Sequence, residues 1–324
     1  MLLCHCCMKI HLVTPAKKRS RNGNRTSALR WAGILRQQGH KVRVDTDYNG
    51  ESVDLVIALH AWRSAAAIAR YRSLFPSGPL IVALGGTDVN GFLKTDPETT
   101  LGSMRFADAL VCLHDLIATE LPVELREKLR VIRQSARPLP RARKPGSRYF
   151  DVCVIGHLRE EKDPFRSALA ARLLPDSSRL RVIHLGKAHS EEWSSRAREE
   201  MAQNQRYHWK GEVPGGSVRQ ELVRTRLMVI SSIQEGGANV ISEALVAGVP
   251  IIASQIAGNI GLLGADYPSY FPSGDEHALA KLMYLAETDA SFLKTLENHC
   301  RRLAPAFTPE REAAAWAKVI AEIT

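Results

Sequence analysis

Two carboxylates eight positions apart, Glu235 and Glu243, lie in the part of this 324-residue sequence best suited to chemistry. The run from Ser231 to Ser254 reads SSIQEGGANVISEALVAGVPIIAS, with Gly236, Gly237 and Asn239 between the two acids. A strand-like run closes at its start, a glycine-bearing loop follows, and a helix is predicted from Asn239. Glu235 then stands in the loop and Glu243 just over one turn inside the helix. Free N–H groups at a helix start suit a phosphate or a sugar hydroxyl. Ionised carboxylates only accept hydrogen bonds, and sugars and riboses offer hydroxyl donors in pairs. An acid beside a helix start also has a purely structural use, complementing the macrodipole. The spacing alone is therefore weak; joined to Gly-Gly and the trailing ALVAGVPIIAS it is specific.

Cations are the second resource. Ten Lys/Arg and no acid lie between Lys9 and Val44, the first acid is Asp45, and the net charge is +10. Within that stretch Lys17-Lys18-Arg19-Ser20-Arg21-Asn22-Gly23-Asn24-Arg25 reads as a strand-to-helix turn. Lys18, Gly23, Asn24 and Arg25 there could grip a compact oxyanion through charged groups and helix N–H donors. The competing reading is a solvated basic loop. His60 closes a predicted strand, and Thr87-Asp88 follows Gly85-Gly86 at the end of the next, where α/β sheets bind ligands. Asp88 has an alternative use as a cap. His184, inside a strand, and His40, after a helix stop, read as structural.

These residues need a frame. Strand-like runs are predicted at 10–13, 42–44, 54–60, 80–85, 109–113 and 130–132, and again at 150–155, 180–185, 207–209, 227–231 and 250–253. Amphipathic stretches separate them, such as 26–38, with Ala28, Leu29, Ala32 and Leu35 at helical spacing and Gly39 as the stop. Helices are also predicted near 277–286, 291–303 and 310–323. This rhythm predicts an α/β protein of two doubly wound, parallel-sheet units, with ligands at the strand ends in a cleft between them. The first domain is expected at 8–135 and a linker at 136–148, where three prolines and many charges interrupt the periodicity. The second domain is expected at 149–305. The last helix, within 309–324, is expected to pack back toward the first domain.

Several classes are excluded. The first turn offers only Gly23, so no G-x-G-x-x-G is present, nor is a G-x-x-x-x-G-K-[ST]. A chain 45% hydrophobic and 24% charged is not disordered. No run approaches the roughly 18 apolar residues of a membrane span. Aromatic content is 6% with no interleaving among the basic runs, so nucleic acid is not an expected partner. Adjacent cysteines in Cys4-His5-Cys6-Cys7 do not form a metal-ligand pair pattern, and no metal or cofactor is expected. The natural start is expected at Met8, with no secretory signal and a cytoplasmic location.

The 231–254 motif resembles the Glu-x7-Glu donor site of GT-B glycosyltransferases, in particular glycosyltransferase family 4. The resemblance implies two Rossmann-like domains, with Glu235 holding donor-sugar hydroxyls and Glu243 the nucleotide ribose. It also implies a Gly-Arg-Leu…Glu-Lys element whose cations neutralise the donor diphosphate. Here that element reads Gly156-His157-Leu158-Arg159-Glu160-Glu161-Lys162. Lys162 matches; His157 stands in place of the arginine, and Arg159 is two positions away. More narrowly, Gly23–Trp31, Ala58–Ala65 (with His60 and Arg63), Gly85-Gly86-Thr87-Asp88 and Gly156–Pro164 resemble the selenosugar synthases of selenoneine biosynthesis. That resemblance implies transfer from a UDP-sugar, UDP-N-acetylglucosamine or UDP-glucose, to selenophosphate, forming a carbon–selenium bond. His60, Thr87, Asp88 and Glu235 would serve the reaction, and Lys18, Gly23, Asn24, Arg25 and Arg63 the anionic acceptor. The alternative is a glycosyltransferase with a hydroxyl acceptor, a glycan or lipid head group.

Overall fold

A computed structural model of the chain describes residues 7–18 and 23–324. The expectations that fall on Met1–Cys6 and on Arg19, Arg21 and Asn22 lie outside the described residues. The chain divides into two compact units, residues 1–134 with 309–324, and residues 135–308.

The first unit is built on six parallel strands: β1 (Lys9–Val13), β2 (Lys41–Asp45), β3 (Leu55–Leu59), β4 (Leu80–Ala83), β5 (Ala109–Cys112) and β6 (Leu129–Val131). Their order is β2-β1-β3-β4-β5-β6. Every residue of β3, β4 and β5 is buried. Central parallel strands covered on both faces must read as short continuous apolar runs, and LVIAL, LIVA and ALVC do.

The helix after β1 spans Gly23–Gln37, so it begins three residues before the predicted start at Thr26. It ends ahead of Gly39, whose φ of +95° only glycine adopts without strain. Leu29 does not belong to its buried stripe. It is 48% exposed, while Ala28, Trp31, Ala32 and Leu35 face the core. The spacing of 28, 31, 32 and 35 keeps one face; Leu29 lies about 100° off it.

The last helix, Pro309–Ile323, groups with this first unit and packs on Gly23–Gln37. Trp316 meets Trp31 edge to face at 4.9 Å between centroids. Glu312, 1% exposed, accepts from Trp31 Nε1 at 2.8 Å and Arg30 Nε at 3.2 Å.

The second unit repeats the plan with β7 (Phe150–Ile155), β8 (Leu180–Leu185), β9 (Tyr207–Trp209), β10 (Leu227–Ile230), β11 (Ile251–Ser254) and β12 (Tyr270–Phe271). The order is β12-β11-β10-β7-β8-β9, again parallel. The two-residue β12 is too short to carry a period of its own, which is why the sequence does not announce it. The stretch 136–148 groups with this unit, which spans residues 135–308. Its backbone and cations satisfy the unit's own carbonyls: Lys144 N–H donates to Val223 O at 2.8 Å, and Arg143 donates to Thr225 O at 3.0 Å and to Gly248 O. Proline-rich, charged composition marks absent periodicity, which an extended, anchored strap shares with a free linker. Among the described residues no helix is long and apolar enough to cross a membrane.

Glu312→Ala is expected to lower the unfolding free energy by about 3 kcal/mol, the cost of leaving buried donors without their acceptor. Urea denaturation with an unchanged slope measures it. A loss below about 1 kcal/mol would show that the last helix is held by its apolar face alone.

Candidate functional site

In the second unit the strand order reverses between β7 and β10, which both neighbour each other and lead outward in opposite directions. Ligands of open α/β sheets bind at such a point, beyond the carboxyl ends of the strands. The turn after β7 carries Gly156, Arg159 and Lys162; the loop after β10 carries Glu235, Gly236 and Gly237. The helix that follows starts at Asn239 and runs to Ala247, with Glu243 in its second turn, as the spacing predicts. Gly237, at φ +122°, takes a backbone conformation that glycine tolerates best.

The two segments touch. Lys162 Nζ forms an ion pair with Glu235 Oε1, and the Ser232 hydroxyl donates to the same oxygen at 2.7 Å. Backbone bonds hold them together: Ile233 N–H donates to Glu161 O at 3.0 Å, and Ser231 Oγ to Asp163 O at 2.9 Å. A small pocket beside them is lined by Gly156, Lys162, His184, Ser231 and Ser232. Arg159 is half-buried, with Nε 3.7 Å from the Glu161 carboxylate. His157 accepts the Lys187 N–H at Nδ1, 3.1 Å. Burial first, then His189 and Arg159, holds its pKa below the usual imidazole range. His157 is thus a neutral hydrogen-bonding ring at neutral pH, not a substitute for a fixed cation.

Three supports hold this arrangement, and two of them escape sequence reading. Gly186 leaves no room for a Cβ, which would overlap the Gly156 carbonyl, and Gly258 leaves none against the backbone of Glu235. Such glycines look like any other in sequence, because the atoms they admit come from the segment after the neighbouring strand of the sheet. His184, expected to be structural, is fully buried and bridges Gly156 O at 3.0 Å and the Tyr207 hydroxyl at 2.9 Å. It thereby fixes the end of β7 where the Gly156–Lys162 turn begins.

The first unit carries its own cluster at the ends of β3 and β4. His60 Nδ1 lies 2.6 Å from Asp88 Oδ1 and Nε2 lies 2.8 Å from Thr87 Oγ1. Asp88 is fully buried and accepts N–H bonds from Ala61 and Trp62 at 2.9 Å and from Gly85 at 2.7 Å. Asp88 therefore ties the two turns together and orients the imidazole. With the proton on Nδ1, Nε2 accepts from the Thr87 hydroxyl, the base-and-orienter arrangement that activates hydroxyl groups. His60 has φ +73°, a conformation uncommon outside glycine. Gly85 makes room for it, since a Cβ there would lie 2.9 Å from His60 Cδ2. Arg63 is exposed, its guanidinium 5.9 Å from the Phe92 ring, which stacks on Trp62 at 4.0 Å.

Among the anion-binding candidates, Arg25 is buried in the first turn of the Gly23–Gln37 helix, Asn24 is half-buried, and Gly23 and Lys18 are exposed. All three helix residues lie inside the helix rather than in a loop before it.

A model of the family described as "Glycosyl transferases group 1" matches residues 139–303. The Xenopus tropicalis protein "Glycosyltransferase 1 domain-containing protein 1" is 23% identical over 272 residues, 76% of this chain and 78% of that protein. The structure is similar to HepE of Anabaena, crystallised with UDP and glucose, at a TM-score of 0.78 and 16% identity over 97% of this chain and 100% of that one. It is also similar to sucrose-phosphate synthase of Thermosynechococcus elongatus, at 0.77 and 15% over 97% and 98%.

His184 makes a pH prediction. Burial lowers its pKa from 6.5 to about 4 in the fold. Between those values the unfolded chain binds the proton and the native one does not, so stability is lost as pH falls from 6.5 to about 4. The loss amounts to about 3 kcal/mol at most. Urea unfolding across that interval should show a shallower decline for His184→Gln than for the unmodified chain; parallel declines would assign the acid sensitivity to other groups.

Proposed function

This chain belongs to the glycosyl transferases group 1 and has the GT-B fold, and on that premise we propose that it transfers a sugar from UDP to selenophosphate. The observation that carries the donor half is the meeting of Lys162 and Glu235 at the β7/β10 reversal, with Glu243 on the adjoining helix. Lys162, with Arg159, neutralises the diphosphate. Glu235 accepts from sugar hydroxyls and Glu243 from the ribose, while Gly236, Gly237 and Asn239 form the helix entrance that receives phosphate oxygens. UDP-glucose and UDP-N-acetylglucosamine are the donors this reading favours; the UDP complex of HepE supports the nucleotide.

The acceptor half rests on the basic first turn and its buried Arg25. Selenophosphate arrives deprotonated, so it needs cations more than it needs a base. A selenium lone pair attacks the anomeric carbon. The bond from that carbon to the diphosphate oxygen breaks, and its electron pair leaves with UDP, stabilised by Lys162 and the helix N–H groups. Water then cleaves the phosphorus–selenium bond, releasing phosphate and leaving the selenosugar. Positive side chains and helix dipoles do the neutralising, and the reaction is proposed to run without a divalent cation.

A second reading has a specific observation behind it. The Asp88–His60–Thr87 chain is a base held by an orienter, which a hydroxyl acceptor requires and selenophosphate does not.

Mass spectrometry of products from UDP-sugars offered selenophosphate or hydroxyl acceptors tests the proposal. A selenosugar is expected, and exclusive transfer to a hydroxyl would overturn it. His60→Asn, which tolerates the left-handed backbone, separates the readings. Transfer to selenophosphate should fall less than about tenfold, whereas base-dependent transfer should fall by roughly 10²–10⁴.

Turnover should also survive EDTA. Complete loss, restored by Mg²⁺ or Mn²⁺, would show that charge neutralisation at the donor site is not the protein's own.

A further inference from the structure

The Lys162–Glu235 pair joins the two charges that the proposed donor needs separately. Their backbones are already fixed by bonds that do not involve the pair: Ile233 N–H to Glu161 O, Ser231 Oγ to Asp163 O, and the close seat of Gly258 against Glu235. Only the side chains are left to rearrange. They remain partly accessible, 20% for Lys162 and 10% for Glu235, so they can rotate apart without opening the fold. Ser232 Oγ, 2.7 Å from the same Glu235 oxygen, keeps that carboxylate supplied with a donor when the lysine leaves.

We propose that the free enzyme occupies its donor site with its own ion pair and that the donor enters by exchange. The diphosphate takes Lys162, and the sugar hydroxyls take Glu235. A ligand bringing one half only strands the other charge in a half-buried place, which is costly. UDP without its sugar competes with Glu235 for Lys162 and binds more weakly than the cation alone would allow. A sugar without its diphosphate meets a carboxylate already paired. The pair thus makes the site selective for intact nucleotide sugars and lowers affinity for the UDP product. This inference rests on the donor reading above, in which Lys162 meets the diphosphate.

Calorimetric titration with UDP, and with uridine as a probe lacking phosphate, tests it on the full chain. Lys162→Met should weaken UDP binding by roughly tenfold or more, the scale of one charge-assisted hydrogen bond. Glu235→Gln keeps the volume and the Ser232 contact while removing the competing charge. It should tighten UDP by on the order of tenfold, leave uridine unchanged, and impair sugar transfer. Thermal melts establish that both variants fold, and Glu235→Ala repeats the titration if Gln perturbs the loop. If Lys162→Met weakens UDP but neither Glu235 variant tightens it, the exchange is wrong and the donor site stands. Tightening of uridine as well would also refute the exchange. If Lys162→Met leaves UDP affinity unchanged, the donor reading itself fails.

Discussion

The approach of the turn after β7 to the loop after β10 is the contact on which the second unit's candidate site depends. Parallel strands end with their backbone groups aimed outward, and where the strand order reverses, two successive turns diverge and leave room for a ligand. Here that room is shaped by close packing of backbone on backbone. Gly186 lets its segment lie against the Gly156 carbonyl, Gly258 lets its helix lie against Glu235, and His184 bonds the end of β7 from beneath. With these supports, Lys162 and Glu235 can meet from elements separated by most of a sheet crossover.

The first unit solves a different problem with similar means. Asp88 is fully buried, and a buried carboxylate survives only if its lone pairs are taken up. Three N–H groups and an imidazole do so. The result joins two strand-end turns and turns the second ring nitrogen of His60 toward Thr87. The uncommon backbone of His60 is tolerated because the surrounding turn is over-determined by these bonds, a pattern common at functional sites.

The same unit owes part of its core to the far end of the chain. The helix Pro309–Ile323 returns to cover Trp31 with Trp316 and to supply Glu312 as the acceptor for Trp31 and Arg30. The helix Gly23–Gln37, whose first turn holds the buried Arg25, therefore shares one buried apolar cluster with the last helix.

The sequence by itself determined whatever depends on local period. Strands β7, β8 and β9 have the predicted ends, the helix begins at Asn239, and Glu235 and Glu243 stand on loop and helix as their spacing requires. It also supplied the candidate residues, because carboxylates, cations and glycines in a short run restrict the chemistry available. What it lacked was partnership. Proline and charge at 136–148 read as a linker because an anchored strap and a free one have the same composition. Leu29 and Trp31 share a helix, and only the packed neighbour decides which is covered. Lys162 and Glu235 are 73 residues apart, and Asp88 and His60 belong to different strand ends. Periodicity reports which side of an element is buried; the order of strands in the sheet decides which buried polar groups meet. That order is a property of the whole fold, so the ion pair, the imidazole's orientation and the glycines that admit them were decided by tertiary structure alone.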